Sequence, residues 1–398
     1  MWWALVLNLA GSLVMLGWMF RRGGTRNVLL GVGVVFAFMA YGPLVNLILG
    51  ESTYGGIVIA HLPAASTGFL LALVGLAFAD LLQPQRQVRV PATSPRTYEL
   101  LPIILAGLAG YAAVRILTLG PAMLGADKLT RIELAGRWHY PYLLAETFAV
   151  ALYFVARRTA FYRALYWLNA AAYVAYCLVT TERDFLFVGL AVLVHVQVFD
   201  PSMRSRRLVV LGVASVALAA FLAALRENLT FGLAQALNQG SIPFVDTFVR
   251  LVVPDFWPYR FGESYLEALN PRGELLQTWL VNLYAAGSSG GYGFSLTAEA
   301  YLNFGTLGVP VVFVALGLLV RWTVNQAGRS EWTTYLSVLL LTAVLTTLRG
   351  ESAQLVRMMG YGVVFFAVVW LGSSRSRTPT GVAHGMLSRG AMSVHDRV

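Results

Sequence analysis

The sequence predicts an all-α, polytopic membrane protein, and three observations predict it. Hydrophobic residues make up 58% of the chain and charged residues 12%, about half the charged share of an ordinary soluble domain. Apolar runs long enough, or nearly so, to cross about 30 Å of hydrocarbon recur along the chain. Between them, arginines gather in short clusters that alternate with connections poor in base.

The runs lie near 2–20, 27–49, 57–82, 100–118, 141–156, 164–180, 185–199, 208–225, 296–320, 333–348 and 353–371, which amounts to about eleven transmembrane helices. The first has no base ahead of it and Arg21 and Arg22 directly behind, the reverse of a cleavable signal peptide. It reads as a span with the N-terminus outside. The inner segments are then 21–26, 83–99, 157–163, 200–207, 321–332 and the tail from 372, and each carries at least two arginines, whereas the outer segment 50–56 carries none. That asymmetry is the positive-inside pattern. The chain divides accordingly into helices one to eight over 1–225, a single large outer loop over 226–295, helices nine to eleven over 296–371, and a cytoplasmic tail over 372–398. The tail is rich in Ser, Arg, Gly and Thr and reads as disordered. Inside the loop, IPFVDTFVRLVV and GELLQTWLVNLYA repeat apolar residues at helical spacing with few charges, as helices lying in the membrane interface do.

The formal charge of +10 does not point to nucleic acid, because the arginines form no single stripe or patch. The single cysteine, Cys177, excludes an intramolecular disulfide and a cysteine metal cluster. No GxxxxGK[ST], HExxH or GxSxG occurs, nor a histidine pair at ligand spacing, so no metal or other cofactor is expected.

Chemistry concentrates on the outer side. Arg183, Arg226, Arg250, Arg260, Arg272, Arg349 and Arg357 all fall there, and a guanidinium clamps phosphate oxygens with two parallel donors. The cluster suits a diphosphate held at the membrane surface; local ion pairs are the competing reading, since acids lie close in sequence to most of the seven. Arg183, Arg260 and Arg349 stand foremost, two at very short outer turns and the third among aromatic residues. Trp257, Tyr259, Tyr265 and Tyr292 offer flat rings for sugar faces, although such rings also make the interfacial belt of any membrane protein.

Glu299 lies about one turn into an apolar run, where an ionisable group is costly and marks a functional site by default. It reads as a general base for a hydroxyl nucleophile, or as a buried partner of Arg357 or Arg349. Glu146 and Arg115, both inside spans, are expected to pair with each other. His139, beside Trp138 and Tyr140, reads as an interface residue, and His61 and His195 lie in spans without a visible partner.

Four motifs in order, TTERDFLF, RFGESYLEALNPRG, TAEAYLNFGTLG and LRGES, with the Gly-rich GSSGGYG between the second and third, resemble those of the O-antigen polymerases, the Wzy-type oligosaccharide repeat-unit polymerases. The resemblance implies a GT-C-like helical bundle in the bacterial inner membrane. It also implies an inverting glycosyl transfer at the periplasmic face, with undecaprenyl-diphosphate-linked glycans as donor and acceptor. Membrane lipid and a chain-length regulator protein are the implied partners. The related O-antigen ligases carry a histidine-asparagine pair where Ala298 and Glu299 stand here, so only Glu299 could take the histidine's role. Ligase, lipid-linked glycan flippase and assembly scaffold are the rival readings. Against a passage through the membrane stands an interior nearly free of charge, with inner arginines that read as tethers.

Overall fold

In a computed structural model the described parts of the apolar runs are helices. It describes residues 2–44, 57–86, 96–156 without 125 and 127, 159–199 without 181 and 183, 241–284 without 256, 257 and 271, and 294–375, with 48, 210 and 217 standing alone. In chain order come α1 (Trp2–Gly23), a 3-10 turn (Gly24–Arg26), α2 (Val28–Tyr41), α3 (Ile57–Leu82), β1 (Arg96–Tyr98), α4 (Leu101–Leu124), α5 (Lys128–Ala135), α6 (His139–Tyr153), α7 (Ala160–Thr180) and α8 (Asp184–Phe199). After a gap follow α9 (Ser241–Val252), α10 (Glu263–Glu267), α11 (Leu276–Tyr284), α12 (Leu296–Gln326), α13 (Glu331–Thr347), α14 (Ser352–Leu371) and β2 (Ser373–Arg375).

Among the described residues, five helical stretches are long and apolar enough to cross a membrane: Trp2–Arg26, His61–Leu82, Leu101–Gly120, Leu296–Gln326 and Ser352–Leu371. The molecule is thus a membrane protein of several spans. Most of the other runs expected to cross are helical too. With 15, 16 and 17 residues, α6, α8 and α13 reach only about 22–26 Å at 1.5 Å per residue, short of the hydrocarbon thickness. The run at 208–225 lies almost wholly outside the described residues.

Helix α3 is the spine of the first half of the bundle, with α12 and α1 packed along it, while α4 packs on α7 and α13 on α8. The core of this part is aromatic: Phe36 of α2 meets Phe313 of α12 at 5.2 Å and Phe244 of α9 at 5.5 Å, both edge to face, the geometry ring quadrupoles favour. Helix α9 was expected in the membrane interface. Its Phe244, Val245, Phe248, Val249 and Leu251 are instead buried in this core, because α2, α3 and α12 offer its apolar face a packed protein surface.

Two contacts close the end of the bundle at which α3 and α12 finish. β1 and β2 pair antiparallel, with Arg96 opposite Arg375 and Tyr98 opposite Ser373, so residues 373–375, expected in the disordered tail, are strand. Arg96 fastens the pair, bonding Ser373 Oγ (3.1 Å), pairing with Glu331 (3.2 Å) and lying 4.3 Å over the Trp370 ring. Arg321 was expected to be a tether. It is fully buried and paired with Asp80, and it donates to Asn27 Oδ1 (2.8 Å) and to Gln85, while Arg22 pairs with the other oxygen of Asp80 at 3.2 Å. A charge with a carboxylate and two amide oxygens around it can be buried where a lone one could not.

Candidate functional site

The opposite end, where α12 and α14 begin, gathers the residues singled out from the sequence. Ser295 starts α12 as an N-cap, its side chain accepting from the Ala298 amide at 3.1 Å. That turns Glu299, one turn on, inward, where it is 1% exposed. Its Oε1 accepts from the hydroxyls of Ser264 (2.8 Å) and Ser352 (2.6 Å), and its Oε2 from the Ser352 backbone N–H (2.7 Å). The last bond satisfies a free amide at the N-terminus of α14, so Glu299 caps that helix from a different element. The alternative pairing with Arg357 does not form. Arg357 donates instead to the carbonyls of Gly273 (3.1 Å) and Asn270 (3.4 Å), which lie nearer its own turn of α14.

Beyond Glu299 the helix breaks. Gly305 has φ 65° and ψ −160°, a region essentially closed to side chains. A Cβ there would also come within 2.8 Å of the Tyr259 ring. The break frees carbonyls upstream of it, and the chain segment ahead of α10 takes them: Arg260 N–H donates to Leu302 O and Phe261 N–H to Asn303 O, each at 3.0 Å. Irregular backbone in a span is tolerated where protein satisfies it in this way. Asn303, fully buried, completes the joint. Its Nδ2 donates to Ser264 Oγ (2.7 Å) and to Glu299 O (2.8 Å), and its Oδ1 accepts from Gly262 N–H (2.9 Å).

A second carboxylate repeats the capping. Glu351, the residue before α14, accepts from the backbone N–H of Leu276 at the start of α11 and is 1% exposed. Burial pushes its carboxyl up to about 7; the Leu276 and Gln277 amides pull it down and neighbouring Glu299 pushes it up. Burial, with Glu299 adding to it, also holds the Tyr265 phenol well above its usual range.

The arginines divide. Arg260 is half-buried, 3.5 Å from Glu267 and 4.7 Å over the Trp279 ring, so its guanidinium is held within the site by a weak ion pair and a ring face. Arg349 is half-buried in the turn between α13 and α14, and Arg272 is exposed at the approach to α11. Arg250 pairs with Asp246 one turn back on α9 at 2.7 Å, which is the local ion pair set against the phosphate reading. Arg183, Arg226, Trp257 and Tyr292 lie outside the described residues. Of the rings expected to meet sugar, Tyr259 packs on Gly305 and Tyr265 stacks on Phe304 at 6.2 Å; both help hold the joint.

Sequence reasoning missed Ser264, Ser352 and Asn303 as partners of Glu299. One signal was present. Gly-Glu-Ser occurs at 50–52, 262–264 and 350–352, and the serines of the last two are the hydroxyls that meet on Glu299 Oε1.

Elsewhere, Glu146 and Arg115 do not pair. Asn169 of α7 donates to Glu146 at 2.6 Å, while Arg115 donates to the last carbonyls of α5, Leu134 (2.6 Å) and Ala135 (2.7 Å), where a cation suits the helix C-terminus. His139 is buried, its Nδ1 2.8 Å from the Tyr176 hydroxyl and its Nε2 3.4 Å from Glu182. It is a core residue and not part of an aromatic belt.

Residues 272–377 match the family model of the O-antigen polysaccharide polymerase Wzy. The matched stretch contains Arg272, Glu299, Asn303, Gly305, Arg349, Glu351 and Arg357, and leaves Arg260 and Ser264 just ahead of it. No curated protein and no solved structure matches the chain.

Proposed function

From a C-terminal stretch that matches the family model of the O-antigen polysaccharide polymerase Wzy, we propose that the protein polymerises undecaprenyl-diphosphate-linked oligosaccharide repeat units at the periplasmic face of the bacterial inner membrane. It is a GT-C-like, inverting glycosyltransferase. A hydroxyl of the acceptor unit attacks the anomeric carbon of the donor glycan. The bond from that carbon to the diphosphate oxygen breaks, the hydroxyl proton passes to Glu299, and undecaprenyl diphosphate leaves. Arg260, Arg272, Arg349 and Arg357 lie on the segments that carry the capped turns of α11, α12 and α14 and neutralise the charge that builds on the leaving diphosphate. Arg183 and Arg226 are further candidates for that task on their sequence positions. Membrane lipid and a chain-length regulator protein are the partners this reading adds.

One observation carries the proposal: Glu299 Oε1 accepts from two hydroxyls, Ser264 and Ser352, inside a water-poor site. An acceptor sugar hydroxyl that takes the place of the Ser352 hydroxyl would donate the same bond, within hydrogen-bond reach of its base, while Ser264 keeps its own. The test is to incubate purified protein with its lipid-diphosphate-linked repeat unit and resolve products by size. A ladder spaced by one repeat is expected in wild type and absent in Glu299→Gln at equal protein level. A ladder from Glu299→Gln would remove the base from the mechanism. Transfer only onto a lipid A core would make the enzyme a ligase, and no transfer to either acceptor would favour transport or scaffolding.

A further inference from the structure

We propose that Asn303 is a positioning residue of this reaction, acting through Ser264 on Glu299 and through the backbone on Arg260. The inference rests on the roles given to Glu299 and Arg260 above, and its argument is one of hydrogen-bond direction. Asn303 Nδ2 has hydrogens to give and no lone pair to offer, so its 2.7 Å bond makes Ser264 Oγ an acceptor. The one hydrogen on Ser264 is then free to point at Glu299 Oε1, 2.8 Å away. The order Asn303 → Ser264 → Glu299 cannot run backwards while Glu299 is ionised, because an ionised carboxylate only accepts. The relay therefore fixes one oxygen of the base in place with its lone pair turned toward a hydroxyl donor.

The same residue sets the register of Arg260. Asn303 Oδ1 holds Gly262 N–H (2.9 Å) and Asn303 O holds Phe261 N–H (3.0 Å), beside the Arg260 to Leu302 bond. All these groups are available because the helix stops at Gly305. Base and cation, 39 residues apart by number (Glu299 less Arg260), are thereby mounted on one buried amide. In Asn303→Asp the Gly262 bond can persist, but the Ser264 hydroxyl gains a competing acceptor and turns away from Glu299.

The experiment compares Asn303→Asp, Ser264→Ala and the double variant in the ladder assay, and follows backbone hydrogen exchange over 258–270 in the same proteins and in Asn303→Ala. Each single variant should lower kcat by roughly 10- to 100-fold with the donor KM nearly unchanged, the mark of a misplaced group that still binds substrate. The double variant should be no worse than the weaker single, since both cut one relay. The amides of Arg260, Phe261 and Gly262 should stay protected in Ser264→Ala and lose protection in Asn303→Ala. Wild-type kcat in Asn303→Asp, additive losses in the double variant, or a kcat loss in Ser264→Ala that comes with lost protection would overturn the relay. If wild type itself makes no ladder, the polymerase reading fails separately, and unchanged exchange in Asn303→Ala would still overturn the registering role.

Discussion

Glu351 ties a loop helix to a span through a group whose protonation is near the middle of the working pH range. Its carboxyl titrates at about 7 in the folded chain against 4.5 for an unperturbed glutamate. Below pH ~4.5 docked and undocked forms are both protonated and the contribution is complete; as pH rises toward about 7 the undocked form gives up its proton first, so docking of α11 weakens and then levels off. Exchange of the Leu276 and Gln277 amides, corrected for the intrinsic pH dependence of exchange, should accelerate across that window in wild type and lose the trend in Glu351→Gln. A flat wild-type profile would show that this carboxylate does not govern docking. At this scale Glu299 was legible in the sequence, since a carboxylate in an apolar run stands out against its neighbours. Its partners were not. Ser264 and Ser352 lie 35 and 53 positions away, and a serine after a Gly-Glu turn looks like any helix start until the turns meet.

Among the elements, the broken helix α12 decides where the site sits. Gly305→Ala places a side chain in a backbone region that costs of order 1–3 kcal/mol and against the Tyr259 ring. The turn at 259–262 should undock, with Arg260 and Phe261 amides exchanging faster and polymerisation falling. Retained protection in that variant would mean the break accommodates a methyl group. The helices themselves were largely readable, because long apolar runs leave the backbone no other way to satisfy its hydrogen bonds. The break was not, since glycine is common in this chain, with 38 occurrences, and nothing local separates Gly305 from the rest. Helix α9 was misplaced for a related reason: an amphipathic face reads the same whether lipid or protein covers it, and only the presence of α2, α3 and α12 decides.

For the whole molecule, the two ends carry different chemistry. One holds the buried carboxylates and the arginines around them; the other is closed by the strand pair and the Arg321 and Asp80 network. The proposed orientation puts the first end outside the cell membrane. With Cys177 buried and replaced by alanine, a cysteine at exposed position 272 should label in intact spheroplasts with an impermeant maleimide, and one at exposed position 329 only after permeabilisation. The reverse pattern would invert the topology. The alternation of arginine-rich and arginine-poor connections is what this orientation rests on, but the same arginines hid the buried role of Arg321, because a base near the end of a span looks like a tether whichever way its side chain turns.

The two capping carboxylates bear on how such proteins can be recombined. Glu299 caps α14 and Glu351 caps α11, while Arg260 and Phe261 complete the backbone of α12; each element ends on a group supplied by another. A loop taken from a relative with different substrate would arrive without the carboxylates and carbonyls that finish its helices, and would leave its host's spans with open ends. Exchange of repeat-unit preference by grafting should therefore require 258–284 and 294–375 to travel together as a single inherited block.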